Sequence, residues 1–338
     1  MRSVIPITII LISTLLITLN ITSISCQQPP IISEISGENI QLIVNDLTSF
    51  QTRRAGTVEC NISAEYIYTY LSSINVSASY EYFTTPTGVL INVIGDIPGL
   101  DQRGRYVVIG AHYDSISHSG NAPGAVDNAA AIAVIMEIAR VLSNHSLPRS
   151  VKLLFFSGEE IGRYGSLNWV NKHSDMRANL TATLILDMIA YGDSLIVDYN
   201  SLSKPLADYI FEKTSFKNYM SIEENSYLSD HQSFWSASIP TVLIHQNNPL
   251  DYPYYHTSED TVDKVNFNLV FLTAQFTLEA VYFLATDPDV ENIYYKANLI
   301  YPIIIIVLPI VSLTGLGLII KFKFSRREIE NCSNHRRL

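Results

Sequence analysis

The stretch GAHYDSISHSGNAPGAVDNAAA, residues 110–131, sets two histidines and two aspartates among glycine and proline, after the apolar run YVVI and before an alanine-rich helical pattern. Side chains of these types, gathered where a strand ends and a helix begins, are suited to holding a metal ion. His112 and Asp114 stand two apart, so in extended chain both project to the same side. An aspartate that accepts the imidazole's second N–H fixes the tautomer a metal-bound histidine needs. Asp127, in GAVDN, is expected in the first turn of the following helix, where the positive end of the dipole favours an ionised carboxylate able to bridge two cations. The glycine and proline of APGA supply a turn that brings the loop back toward His112.

The segment KLLFFSGEEIG runs from an apolar strand into the adjacent pair Glu159 and Glu160. Neighbouring residues in extended or turn geometry face different ways. One carboxylate is therefore free to bind metal, while the other faces water and substrate as a base. TLILDM ends its apolar run at Asp187, and a carboxylate there is costly to bury unless its charge is compensated. PYYHTSED carries His256 in a polar loop. Singly, each feature has an ordinary reading: a loop histidine, a solvated turn, a capping aspartate. Together, His112, Asp127, Glu160, Asp187 and His256 form a set of oxygen and nitrogen ligands with Glu159 left over as a base. Their three carboxylates balance most of the charge of two divalent ions. Mixed histidine and carboxylate ligation suits zinc, with cobalt or manganese as alternatives.

The elements that must position these residues can be read from hydrophobic spacing. Helical patterns fall near 38–50, 64–74, 126–142, 166–172, 205–214 and 266–284. Extended runs fall near 80–83, 89–94, 106–110, 151–156, 183–187, 195–198 and 241–245. Continuous apolar strands alternating with helices predict an α/β fold, a central, mostly parallel mixed sheet covered by helices on both faces. In such sheets the functional site lies beyond the carboxyl ends of the strands. That is where the candidate ligands fall.

Of 338 residues, 47% are hydrophobic, a value raised by two apolar ends. Residues 1–26, with Arg2 before an apolar run, read as a signal peptide, or alternatively an N-terminal anchor. Residues 299–320 contain no charge and are long enough to span a bilayer as one transmembrane helix. A buried core helix is the other reading of that run. Six basic residues against Glu328 and Glu330 in 321–338 predict a cytoplasmic tail, with the body at 27–290 extracellular or lumenal. That body carries about fifteen net negative charges, which argues against a nucleic-acid partner. Three cysteines provide no disulfide framework. Sequons at Asn61, Asn75, Asn144 and Asn179 are candidate glycan sites.

AHYDS…APGAVDN, FFSGEEIGRYGS, LDM and YHTSEDT resemble the motifs of the double-zinc exopeptidases that include secreted bacterial aminopeptidases, glutamate carboxypeptidase, glutaminyl cyclase and the catalytically silent transferrin receptor. The resemblance covers about residues 33–287. It implies that His112 and Asp187 hold one zinc and Glu160 and His256 the other, with Asp127 bridging. By the same resemblance Glu159 is the general base, Asp114 orients His112, and Tyr255 hydrogen-bonds the tetrahedral intermediate. SDHQSFW, 229–235, matches a segment near the family's site. Ala130-Ala131 and Arg163-Tyr164 depart from the usual pattern and bear on the shape of the substrate pocket. The wording is nearest the aminopeptidase branch, acting on peptide or protein substrates. A carboxypeptidase, which needs basic residues for a terminal carboxylate, a single-zinc glutaminyl cyclase and a receptor-like ectodomain are the competing readings.

Overall fold

A computed structural model describes residues 29–224 and 227–293. The expected signal peptide, the transmembrane run at 299–320 and the basic tail lie outside these residues. Eight strands form one mixed sheet: β1 (Ser77–Thr85), β2 (Gly88–Ile97), β3 (Tyr106–His112), β4 (Ser150–Phe156), β5 (Leu180–Leu186), β6 (Leu195–Tyr199), β7 (Met220–Glu224) and β8 (Thr241–Gln246). Their order is β1-β2-β4-β3-β5-β8-β6-β7. The central four, β4-β3-β5-β8, are mutually parallel. β2 joins β4, and β6 joins β8, antiparallel, so the parallel character expected for most of the sheet belongs to its centre and to the β6–β7 edge.

Every residue of β3 is buried, as is every residue of β8, because helices cover both faces. One face carries α1 (Gly37–Ser49), α2 (Val58–Ser73), α3 (Ala130–Leu142), α5 (Lys204–Lys213) and α7 (Phe267–Thr286), whose apolar residues merge with those of the sheet. The other carries α4 (Tyr164–Lys172) and α6 (His231–Ser236), which pack Trp169, Val170 and Phe234 against Val108, Leu154 and Ile185. Among the described residues only α7 is long and apolar enough to cross a membrane, and it is mostly buried inside this body. The sequon asparagines 61, 75, 144 and 179 are all exposed.

Several boundaries differ from the sequence expectation, each for a local reason. α2 begins at Val58 rather than 64 because Thr57 caps it, its side chain accepting the Cys60 N–H. β7 and α6 were not expected: β7 is a five-residue edge strand of alternating, mostly exposed residues, and α6 has fewer than two turns in which to show a period. α3 starts at Ala130, not 126. Asp127 (φ −117, ψ 85) and Asn128 (φ −141, ψ 33) are outside helical geometry, and the bond between them is cis. Asp127 therefore precedes the helix instead of occupying its first turn.

Candidate metal centre

Because β4, β3, β5 and β8 run parallel side by side, the segments leaving them emerge at one sheet edge. His112 ends β3, Asp187 follows β5, Glu159 and Glu160 follow β4, Asp127 lies between β3 and α3, and His256 lies in the loop from β8 to α7. The structure brings all six together. His112 Nε2 is 3.4 Å from Asp127 Oδ1 and 3.3 Å from Asp187 Oδ1. His256 Nε2 is 3.4 Å from Asp127 Oδ2 and 2.8 Å from Glu160 Oε2. The two oxygens of Asp127 thus face opposite histidines. The donor atoms form two triads, His112–Asp127–Asp187 and Asp127–Glu160–His256, each with all atoms within 4.8 Å.

This donor set fits a pair of divalent ions. Glu160 Oε1 is buried and has no hydrogen-bond partner among the described residues. Burial pushes the Glu160 carboxyl up to about 8, and nearby Asp127 adds to the rise against the pull of the histidines. Burial likewise lifts Glu159 far above the usual carboxylate range, with Asp230, Asp187 and Glu160 adding to it and His112 opposing. Burial works against protonation of His256, yet Asp127 and Glu160 outweigh it and hold the imidazole at about 10. His112 is raised in the same way, its burial overcome chiefly by Asp187 and Asp127. Asp127 goes the other way, its burial outweighed by the two histidines, which hold it below the usual carboxylate range. Buried glutamates pushed up beside histidines that are also raised nonetheless mark a site short of positive charge. A divalent cation such as zinc would supply it, and the histidine and carboxylate donors are of the type zinc prefers.

Backbone clamps hold the ligand segments. The Asp114 carboxylate accepts the N–H groups of Glu159 (3.2 Å) and Glu160 (3.3 Å). His112 Nδ1 meets the backbone carbonyl of Asp114 at 3.1 Å, whereas the carboxylate is 3.7 Å away. The expected tautomer control therefore comes from the main chain of Asp114, because its carboxylate is occupied by the glutamate amides. Asn128 brackets Asp187, donating to Leu186 O (3.1 Å) and accepting the Met188 N–H (3.2 Å). The fully buried Arg53 donates to Tyr113 O and Gly124 O, tying the exit of β3 to the APG turn. His256 (φ 54) and Met188 (φ 47) adopt left-handed backbone, a strain tolerated where surroundings fix the site.

Sequence reasoning missed Arg53, Asn128, Gln246 and Asp260. Arg53 sits in a link with no periodicity. Asn128 and Asp260 lie inside quoted motifs, so position beside a ligand was the available signal. Gln246 ends β8, where its side-chain oxygen accepts the Ala190 and Tyr191 N–H groups.

A cavity of about 370 Å³ opens over the carboxylates. Asp127, Glu159, Glu160 and Asp187 are among its lining residues, together with the apolar Met188, Leu228, Leu243 and Leu250. Tyr255 also lines it, its ring stacked on His256 at 3.7 Å between centroids. Ser229 of SDHQSFW reaches the wall, while Asp230 and His231 are fully buried behind it. No lysine or arginine lines this cavity among the described residues.

The sequence profile of peptidase family M28 matches residues 92–281, more than half of the chain. The chain belongs to that family. It is 27% identical over 284 residues to a probable leucine aminopeptidase of Trichophyton verrucosum, covering 77% of this chain and 74% of that one. It is 28% identical over 186 residues to a probable zinc metalloprotease of Pyrenophora teres, covering 47% of this chain. The chain spans only about two fifths of that relative's length. Among solved structures, a zinc aminopeptidase from Bacillus subtilis superposes with a TM-score of 0.69 at 16% identity, covering 77% of this chain and 97% of that one. The LapA aminopeptidase of Legionella pneumophila superposes at 0.68 with 23% identity over 76% of this chain and 74% of that one. At such identities these likenesses establish the fold.

Proposed function

We propose that this chain is a two-zinc aminopeptidase that releases residues from the free N-termini of peptides. The observation that carries the reading is the pair of ligand triads sharing Asp127 beside a cavity lined by four carboxylates, with His245 but no lysine or arginine among its described lining residues. A substrate's ammonium group suits such a lining, and a terminal carboxylate does not. In the proposed site His112 and Asp187 hold one zinc, Glu160 and His256 the other, and Asp127 both. When bound, zinc polarises a scissile carbonyl and acidifies water. Glu159, on the cavity wall and outside both triads, takes the proton of the attacking water and delivers it to the departing amine. The Tyr255 hydroxyl donates to the carbonyl oxygen as negative charge develops there. The apolar wall of Met188, Leu228, Leu243 and Leu250 receives the side chain of the released residue.

The full chain, purified with its zinc counted, tests the reading on aminoacyl anilides and their N-acetylated forms. Two zinc ions and cleavage of the free-amine substrates alone are expected. Preference for blocked substrates would overturn the aminopeptidase assignment, and one zinc per chain would favour a cyclase.

The same reading sets the catalytic body outside the membrane, anchored by residues 299–320. It is supported by the absence of charge in that run, by the basic excess after it and by the exposure of all four sequon asparagines. Intact cells should hydrolyse a membrane-impermeant substrate, and activity that appears only after lysis would refute this orientation.

A further inference from the structure

The motif YHTSEDT supplies His256 to the proposed site, but its last acid, Asp260, touches no ligand atom and has no part in the reaction described above. It is 2% exposed. Its Oδ1 accepts the Val126 N–H at 2.9 Å and its Oδ2 accepts the Asp127 N–H at 3.0 Å. The Tyr252 hydroxyl donates to Oδ1 at 2.7 Å, and the backbone carbonyl of Asp260 accepts the Ala125 N–H at 3.1 Å. One residue thus receives three successive amides of the segment that carries Asp127.

An aspartate binding two consecutive amides is ordinarily a helix cap. That account fails here, because Asp127 and Asn128 lie outside helical geometry and α3 begins only at Ala130. Burying a carboxylate is costly unless it is fully hydrogen-bonded. Two divergent N–H groups and a phenol require acceptors at both side-chain oxygens, which asparagine cannot offer. The loop is tied in a second place by the His118 N–H, which donates to His256 O at 3.0 Å.

We propose that Asp260 is a positioning residue that fixes the backbone of Asp127 so that its two oxygens address both halves of the metal centre at once. This rests on the two-zinc reading above. The loop that provides the histidine of one half-site thereby sets the aim of the carboxylate shared with the other. Loss of Asp260 should weaken both zinc equivalents together, whereas loss of a ligand private to one half-site should weaken one.

The test is chelator competition on the full chain, comparing wild type, Asp260→Asn and Glu160→Gln, with the visible spectrum of the cobalt-substituted protein as a second readout. Asp260→Asn should bind both equivalents about ten- to a hundredfold more weakly, the usual effect of losing an outer support of a metal ligand. Its cobalt spectrum should change, and excess zinc should restore kcat with KM unchanged. Glu160→Gln should weaken one equivalent. Tyr252→Phe removes one donor from Asp260 and leaves the amide clamp, so it should shift both equivalents in the same direction by a smaller factor. This variant decides the matter if Asp260→Asn does not fold. Unchanged zinc affinity in the folded Asp260→Asn variant, or activity that excess zinc does not restore, would overturn the proposal while leaving the two-zinc reading intact. A wild-type chain that binds no zinc would overturn both.

Discussion

Asp127 is the residue on which the centre turns, since its Oδ1 lies toward His112 and its Oδ2 toward His256. The adjacent glutamates divide differently. Glu160 sits within a ligand triad, 2.8 Å from His256, whereas Glu159 lines the cavity outside either triad. Their main chains are held side by side by the Asp114 carboxylate, so the difference lies in where each side chain points. Glu159→Gln should lower kcat by at least a hundredfold while zinc content stays at wild-type level, because the loss is of proton transfer alone. Glu160→Gln should lose zinc as well as turnover. Metal analysis beside steady-state kinetics checks both, and retained peptidase activity in Glu159→Gln would remove it as the base.

The loop between β3 and α3 determines whether Asp127 reaches its partners. Gly124 allows it to do so, with φ +57 and a backbone packed so closely that an added Cβ would fall 2.4 Å from Asp127 O and 2.6 Å from Ser115 Cβ. Gly124→Ala should therefore add about 1–3 kcal/mol of backbone strain and displace the segment that Arg53 and Asp260 hold. Weaker zinc retention together with a lower thermal midpoint is the expected outcome. Normal zinc binding in this variant would show that the loop tolerates rearrangement. The opposite case is α3 itself, in which every residue but Arg140 is buried. It anchors the loop through packing rather than through polar contacts.

Across the whole molecule, the parallel centre of the sheet gathers ligands from four strand ends, and the antiparallel flanks extend the sheet on both sides without contributing any. A zinc pair would join segments as far apart in sequence as His112 and His256, and binding to the folded state alone raises stability by mass action. At free zinc a thousandfold above its dissociation constant, each ion contributes about 4 kcal/mol, so chelation should lower the thermal midpoint by on the order of 10 °C. Readdition of zinc should restore it. A midpoint indifferent to chelator and zinc would count against a metal that bridges these elements.

The six candidate residues and the α/β class were legible in the sequence because all but His256 follow a strongly apolar strand or sit beside a turn rich in glycine and proline, and His256 stands in the polar YHTSEDT motif; such signals are local. Those features determined where the sheet's central strands end and which side chains are available there. What only the tertiary structure decided is how the ligands are held: Asp260 on Asp127, Asn128 on Asp187, Asp114 on the glutamates and Arg53 on the APG turn. All four of these pairings join residues more than forty positions apart, and Asp260 on Asp127 spans 133. They are hydrogen bonds between a side chain and a distant main chain, which leave no periodicity in either segment. The placement of Asp127 ahead of α3 was hidden for the same reason. Alanine-rich spacing predicts helix from about 126, whereas α3 starts at Ala130 and the N–H groups of Val126 and Asp127 just before it are held by the distant carboxylate of Asp260.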